Sequence, residues 1–288
     1  MFKHNDLTWY NNDTIKKIEV LILTEINLAS LIDDNSDKFL KNVEGYFQTQ
    51  LKSVELANYK YKHEIDKLFT FALHTDPSLF PKIKIEEKNE NPLKSCNLYI
   101  AQWIKKYIDN RANPAVEKPL KNYGQKDQAL VNRLAATNMD SNTLSNYLVG
   151  HFLYMSAENT NGSILEEYLA TVLEPRGWYW CAGTTLRAID FCYFNENEKD
   201  SKVTLLQVKN KYNTENSSSS AIRDGTKIKK WYRLKHPRKA SPYTPLPNWA
   251  TLINLIEADA DLASELTEEK YLSYIEHNST KKIDYLDE

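Results

Sequence analysis

LRAIDFCYFNENEKDSKVTLLQVKNK, residues 186–211, decides the reading of this chain. Two apolar and aromatic runs, LRAIDFCYF from Leu186 and VTLLQVKNK from Val203, flank the polar stretch NENEKDSK as two strands flank a hairpin connection. Side chains alternate along a strand, so Gln207 and Lys209 leave one face, and pairing of the two runs brings Asp190 beside them at one end of a sheet. A carboxylate, a second oxygen donor and an ammonium meeting there suit metal-assisted hydrolysis of a phosphodiester. Asp190 is then the principal Mg²⁺ ligand, the Gln207 side chain and the Val208 carbonyl are auxiliary ligands, and Lys209 orients the nucleophile or stabilises charge on the transition state.

Upstream, SILEEYLATVL from Ser163 has helical spacing, with Leu165, Leu169, Val172 and Leu173 facing inward and Pro175 with Gly177 as the stop. WYWC from Trp178 is a third strand. Glu166 borders the apolar stripe and can lean toward Asp190 as a further ligand or base, whereas Glu167 is expected to face solvent. Glu158, placed in a turn at AENTNG, competes with Glu166 for the same role.

Downstream, eleven basic residues oppose two acids between Lys202 and Lys239, while ten acids oppose three lysines from Ala250 onward. In a chain of net charge −2 this is a local polyanion surface followed by an acidic tail. Lys211, Asn213, Asn216, Ser217, Ser218, Ser219, Ser220 and Arg223 are candidates for DNA contact. Arg223 suits a bidentate contact to guanine, and Lys227, Lys229, Lys230 and Arg233 suit phosphates. The same run also fits a solvated basic face, and the serines a flexible linker. Tyr212, Trp231 and Tyr232 are expected to pack in the core or an interface. The acidic tail is expected to be a solvated helical face, or a shield for the basic segment.

With 288 residues, 41% of them hydrophobic, the chain is long enough for one large domain or two in contact. Only seven glycines occur, with no GxGxxG and no GxxxxGK[ST], so dinucleotide binding and P-loop hydrolysis lack their usual support. Three cysteines without a CxxC pair, and a start without an apolar signal core, imply a reducing, cytoplasmic setting without a structural zinc. No apolar run approaches a membrane span. His151, on an apolar helix face, is expected in the core. Helices are expected through Ile15–Ile26, Leu40–Val54 and Leu98–Ile108, with a break between Asp76 and Ser95. The division is a helical N-terminal region (1–125), an α/β catalytic and DNA-binding core (126–249) and an acidic helical segment (250–288).

NGSILEEYL, RAIDF and LLQVKNK together resemble the PD-(D/E)xK nuclease core of type II restriction endonucleases, a central mixed sheet flanked by helices. Ile189-Asp190 stands for the proline-aspartate pair, and Gln207-Val208-Lys209 for (D/E)xK in its QxK form. From Ala157 to Lys230, with GWYWCAG and QVKNKYNTENSSSS, the chain is similar to SinI-like restriction endonucleases. The resemblance implies cleavage of double-stranded DNA at a short GC-rich palindrome such as GG(A/T)CC, a homodimer with one active site per strand, and a methyltransferase protecting the same sequence. Two other readings share much of the pattern: a structure- or modification-dependent nuclease of the same superfamily, and a non-catalytic DNA-binding module.

Overall fold

A computed structural model describes residues 24–33, 37–53, 55–85, 91–194, 203–211, 227–236, 239 and 244–285. The chain begins with a short strand, β1 (Thr24–Ile26), then α1 (Leu28–Asp33), α2 (Asp37–Leu51) and α3 (Lys62–Thr75). Strand β2 (Ile83–Ile85) pairs antiparallel with β1. Ile26 thus ends a strand where a helix was expected; residues 15–23 lie outside the described ones. The signal for β2 was the alternation Ile83, Lys84, Ile85, whose isoleucines are buried and whose lysine is exposed. Helix α4 (Pro92–Ala112) starts at a proline because Asn91 caps it through the Leu93 amide at 3.0 Å, and proline fits the first helical turn. Its Trp103 meets Phe69 edge-on, and Phe69 stacks on Phe47 at 3.8 Å.

After β3 (Leu120–Asn122) and α5 (Gln128–Ala135) comes α6 (Ser141–Leu173), a single helix of 33 residues. Asp140 caps it by accepting from the Asn142 and Thr143 amides. The turn expected at AENTNG is helical, and Glu158 lies within it: Asn and Gly favour turns only weakly against a helix capped by Asp140 at its start and packed in the core at its end. Glu167, expected in solvent, is buried, and its carboxylate accepts the Ala115 and Val116 amides of a 3₁₀ turn, Ala115–Glu117. His151, expected in the core, is exposed.

A 3₁₀ turn and Gly177, at φ 81° where a side chain would be strained, lead into the main sheet. Strands β4 (Trp178–Trp180), β5 (Phe191–Tyr193), β6 (Thr204–Lys211) and β7 (Ile228–Leu234) lie in that order. The first two junctions are antiparallel and the last is parallel. Residues Thr204–Val208 of β6 are buried without alternation, as in a central strand covered on both faces. Only Phe191–Tyr193 of the LRAIDFCYF run is strand. Residues 181–190 form a turn fastened to the N-terminal helices: Trp103 donates to the Thr185 carbonyl at 2.8 Å, and the Arg187 amide to the Leu79 carbonyl at 2.7 Å. Gly183, at φ 71°, has no room for a side chain, since a Cβ would lie 2.5 Å from Asn110 Nδ2 and 2.8 Å from the Lys106 carbonyl.

Helices α7 (Trp249–Ile256), α8 (Ala260–Glu265) and α9 (Glu268–Asn278) follow, and β8 (Ile283–Tyr285) pairs parallel with β3. One hydrophobic cluster runs from Ile26 through Trp103, Phe191 and Leu206 to Tyr271, so N-terminal helices, sheet and C-terminal helices share a core. Cys96, Cys181 and Cys192 are buried and unbridged. Among the described residues no helix is long and apolar enough to cross a membrane.

Glu167→Ala strips two buried amides of their acceptor, which should cost about 2 kcal/mol of stability. A urea titration would show this as a lower midpoint at unchanged slope, and Glu167→Gln, which keeps one acceptor oxygen, should recover a large part of the loss.

Candidate active site

Strand pairing delivers the expected cluster. The register Phe191↔Leu206, continued one step, sets Asp190 opposite Gln207. The Asp190 amide donates to the Leu206 carbonyl at 2.8 Å, and its Oδ2 accepts the Val208 amide at 2.6 Å. The carboxylate is thereby held between Gln207 and Lys209. Gln207 is 2% exposed, and Lys209 is half-buried where the strand emerges from the core. Two residues before Asp190, Ala188 is in the left-handed region at φ 59°, as is Thr184 at φ 60°. Such conformations cost a non-glycine residue about 1–2 kcal/mol, borne here by the turn that aims the carboxylate.

From the other side, α6 brings Glu166 to the same place. Its Oε2 accepts the Trp180 indole N–H at 3.3 Å. Burial, and then the neighbouring Asp190 carboxylate, push the Glu166 carboxyl well above its ordinary range, with Trp180 and Lys209 opposing. Asp190 is pushed up to about 6 by burial, against the Val208 amide and Lys209. Two desolvated carboxyls and an ammonium therefore share one end of the sheet. Glu158 is not among them: it lies two helical turns away, about 12 Å along the axis, and pairs with Lys211 at 2.6 Å. Among the described residues no three His, Cys, Asp or Glu side chains gather as a ligand nest, so the oxygen donors here are two acids with the Gln207 amide and backbone.

Trp180 connects this cluster to a buried ion pair that the sequence did not signal. Arg111 of α4 is 4% exposed, forks onto both oxygens of Glu174, and lies over the rings of Tyr61, Trp180 and Tyr107. The only advance signal was an arginine at the end of a helix, which reads equally well as a dipole partner.

The candidate DNA contacts divide three ways. Asn213, Asn216, Ser217, Ser218, Ser219, Ser220 and Arg223 lie outside the described residues. Lys227 and Lys229 are exposed and Lys230 half-buried on or next to β7; Lys229 also reaches the Leu255 carbonyl at 3.3 Å. Arg233, expected on phosphate, is buried instead. Its guanidinium bonds Asn210 Oδ1 at 2.9 Å, pairs with Glu268 and lies over Tyr271. Among the described residues the acidic tail thus reaches the basic segment at Arg233. Trp231 is core, donating to the Asn248 carbonyl at 3.0 Å. Beyond the cluster, a cavity of about 840 Å³ opens beside Asn210 and Lys211, with Lys118 and Lys235 on its walls and Glu158 as its acid. Asp190, Glu166 and Lys209 do not line it, so it continues the strand end rather than enclosing the acids.

The sequence pattern of the SinI restriction endonuclease family matches residues 89–277, which include every residue of this cluster. The chain is similar to the type II restriction enzyme Eco47I of Escherichia coli, 48% identical over 122 residues (42% of this chain and 52% of that protein). It is similar also to the type II restriction enzyme SinI of Salmonella infantis, 51% identical over 109 residues (38% and 46%). The chain thus spans about half the length of the curated relatives it matches.

The raised Asp190 value fixes the sign of a pH effect. The unfolded carboxyl ionises near its ordinary value of about 3.9. The folded one ionises at about 6. Its contribution to stability is therefore present at low pH and lost as pH rises through that interval. Asp190→Asn, which keeps an acceptor for the Val208 amide, should be more stable than the parent by about 1–3 kcal/mol at pH 8. Thermal melts at two pH values would show the difference vanishing near pH 4; a variant less stable at pH 8 would contradict it.

Proposed function

Because the chain belongs to the SinI restriction endonuclease family, we propose that it is a type II restriction endonuclease. In this reading it hydrolyses double-stranded DNA at a short GC-rich palindrome, such as GG(A/T)CC, with Mg²⁺ as cofactor. The observation that carries the reading is the Asp190 carboxylate held on the Val208 amide between Gln207 and Lys209. The mixed β4–β7 sheet with α6 against it is the arrangement a PD-(D/E)xK core requires, which supports the same assignment.

The residues fit a divalent cation. Glu166 and Asp190 are desolvated acids, Asp190 adds to the cost of ionising Glu166, and a cation between acids of this kind relieves that cost. Asp190 and Glu166, with the Gln207 amide and the Val208 carbonyl, would hold it. Bound there, it would supply Lewis-acid polarisation of the phosphate and a more acidic water.

The chain's own groups do the rest. Lys209 places an ammonium next to Asp190, where it can orient the attacking oxygen and hold negative charge on the phosphate. The Val208 amide fixes which way Asp190 points, and Trp180 fixes Glu166. Lys227, Lys229 and Lys230 present positive charge on the neighbouring strand for phosphates. Arg223 and the Asn213–Ser220 stretch remain the candidates for base reading, while Arg233 is assigned to the fold. Cutting both strands of a palindrome takes two sites, hence a two-fold homodimer, in the cytoplasm beside a methyltransferase of the same specificity.

Purified protein incubated with unmethylated phage DNA and Mg²⁺ should give discrete fragments, suppressed by EDTA, whose sequenced ends share one short site. Asp190→Ala and Lys209→Ala should each lower cleavage by at least about a thousandfold while DNA binding persists. Unchanged cleavage in both variants would remove this site assignment. Salt-sensitive DNA binding without any cleavage would instead support a binding module or a nuclease that needs a modified substrate.

A further inference from the structure

In its N-terminal half helix α6 leaves the main core and is supported from one side, by β3 through the Lys121 amide on Ser156 Oγ at 2.8 Å and by Gly124 against the Phe152 ring. In its C-terminal half Leu165, Leu169 and Leu173 are buried in the core. Ion pairing of Glu158 with Lys211 marks where β6 ends against it. The preceding 17 residues, Ser141–Ala157, extend past that point by about 25 Å at 1.5 Å per residue. None of their side chains is buried, and none is in α5.

This overhang has the wrong surface for solvent. Residues 141–157 contain no Asp, Glu, Lys or Arg, in a chain that is 26% charged. Tyr147 (61% exposed), Tyr154 (65%) and Met155 (45%) stand open, with Leu130 (62%) on α5. Leu144, Tyr147, His151 and Tyr154 follow one another at three- and four-residue intervals, the spacing of a seam between two helices. On the helical wheel that row lies over Leu165 and Leu169, so the apolar stripe is continuous and the sheet covers only its second half.

We infer that the exposed stripe of α6 is the homodimer interface, closed by the same stripe of a second copy across a two-fold axis. This rests on the nuclease reading insofar as that reading calls for two active sites. DNA does not suit the length of the stripe, since residues 141–157 carry no cation and the lysines near it, Lys118, Lys211 and Lys235, line the cavity at its Tyr154 end. A second copy does suit it, because in a two-fold contact each residue meets its own kind or near neighbours, and a neutral stripe avoids setting like charges face to face. Tyrosine and methionine with few charges is the composition of an interface core. A buried aromatic contributes about 150–250 Å². Tyr147 and Tyr154, each more than half exposed, would bury most of that open area in each copy, with Met155 beside them adding to it. The contact lies at the end of α6 next to the emerging β6 strand, so it ties the partner to the element that carries Glu166.

Analytical ultracentrifugation of the full chain across a concentration series tests this. The parent should sediment as a dimer of the 33.5 kDa chain. Tyr147→Glu with Tyr154→Glu should be monomeric at the same concentrations with unchanged helical circular dichroism. Val149→Glu, on the opposite side of the helix and exposed, should stay dimeric. Should the double Glu variant lose its circular dichroism, the milder Tyr147→Ser with Tyr154→Ser decides, with an expected rise of at least about a hundredfold in the dissociation constant. A parent that is monomeric throughout, or a folded double variant that dimerises like the parent, overturns the inference. Asp190→Ala should lose cleavage and remain dimeric, so failure of the catalytic assignment and failure of the interface give different results.

Discussion

The carboxylate of Glu167 is what sets the rotation of α6, and with it the site. It accepts two amides at the start of the 3₁₀ turn following Pro114, where no helical carbonyl is in reach, and bonds to an ionised acceptor are stronger than those between neutral groups. Consecutive helical residues point about 100° apart. Fixing Glu167 on the N-terminal side therefore sends Glu166 to Trp180 and Asp190, and Tyr168 to the Glu265 carbonyl and the ring of Trp249. Three successive side chains bind α6 to the N-terminal scaffold, the sheet end and the C-terminal helices.

The N-terminal helices serve the same end through the turn that delivers Asp190. Left-handed Thr184 and Ala188 favour relaxation of that turn, and the contacts to Trp103, Leu79 and the α4 backbone beside Gly183 oppose it. A buried indole bonded to a backbone carbonyl combines large apolar burial with a specific anchor. The N-terminal helices thus hold one carboxylate in place. Arg111 extends the arrangement by packing over the Trp180 ring whose N–H meets Glu166.

The central strands and the Asp190–Gln207–Lys209 cluster were legible because alternation and burial along a strand are local properties. What was misread depended on partners far away in the chain. Glu167 was expected in solvent because it lies off the Leu165–Leu169 stripe, and its acceptor role is set by amides 51 and 52 residues away. Arg233 looked like one more cation of a basic run until Glu268, 35 residues on, took it. The turn at AENTNG and the core position of His151 were misread from composition and from periodicity, respectively. Periodicity shows that a helix has an apolar side, not that anything covers it.

Gln207, the departure from the commoner acidic residue, follows from where β6 runs. The position is 2% exposed and lies opposite Asp190, with Glu166 already nearby. A third carboxylate there would be ionised at the expense of burial and of two like charges; burial already pushes both existing acids upward, and Asp190 raises Glu166 further. An amide keeps an oxygen donor at the same place without that cost. With Lys209 adjacent, the cluster carries one net negative charge when both acids are ionised. Such a site holds a divalent cation loosely and leaves part of its coordination to water and to the phosphate being cut. In the nuclease reading, tight metal binding then waits for DNA.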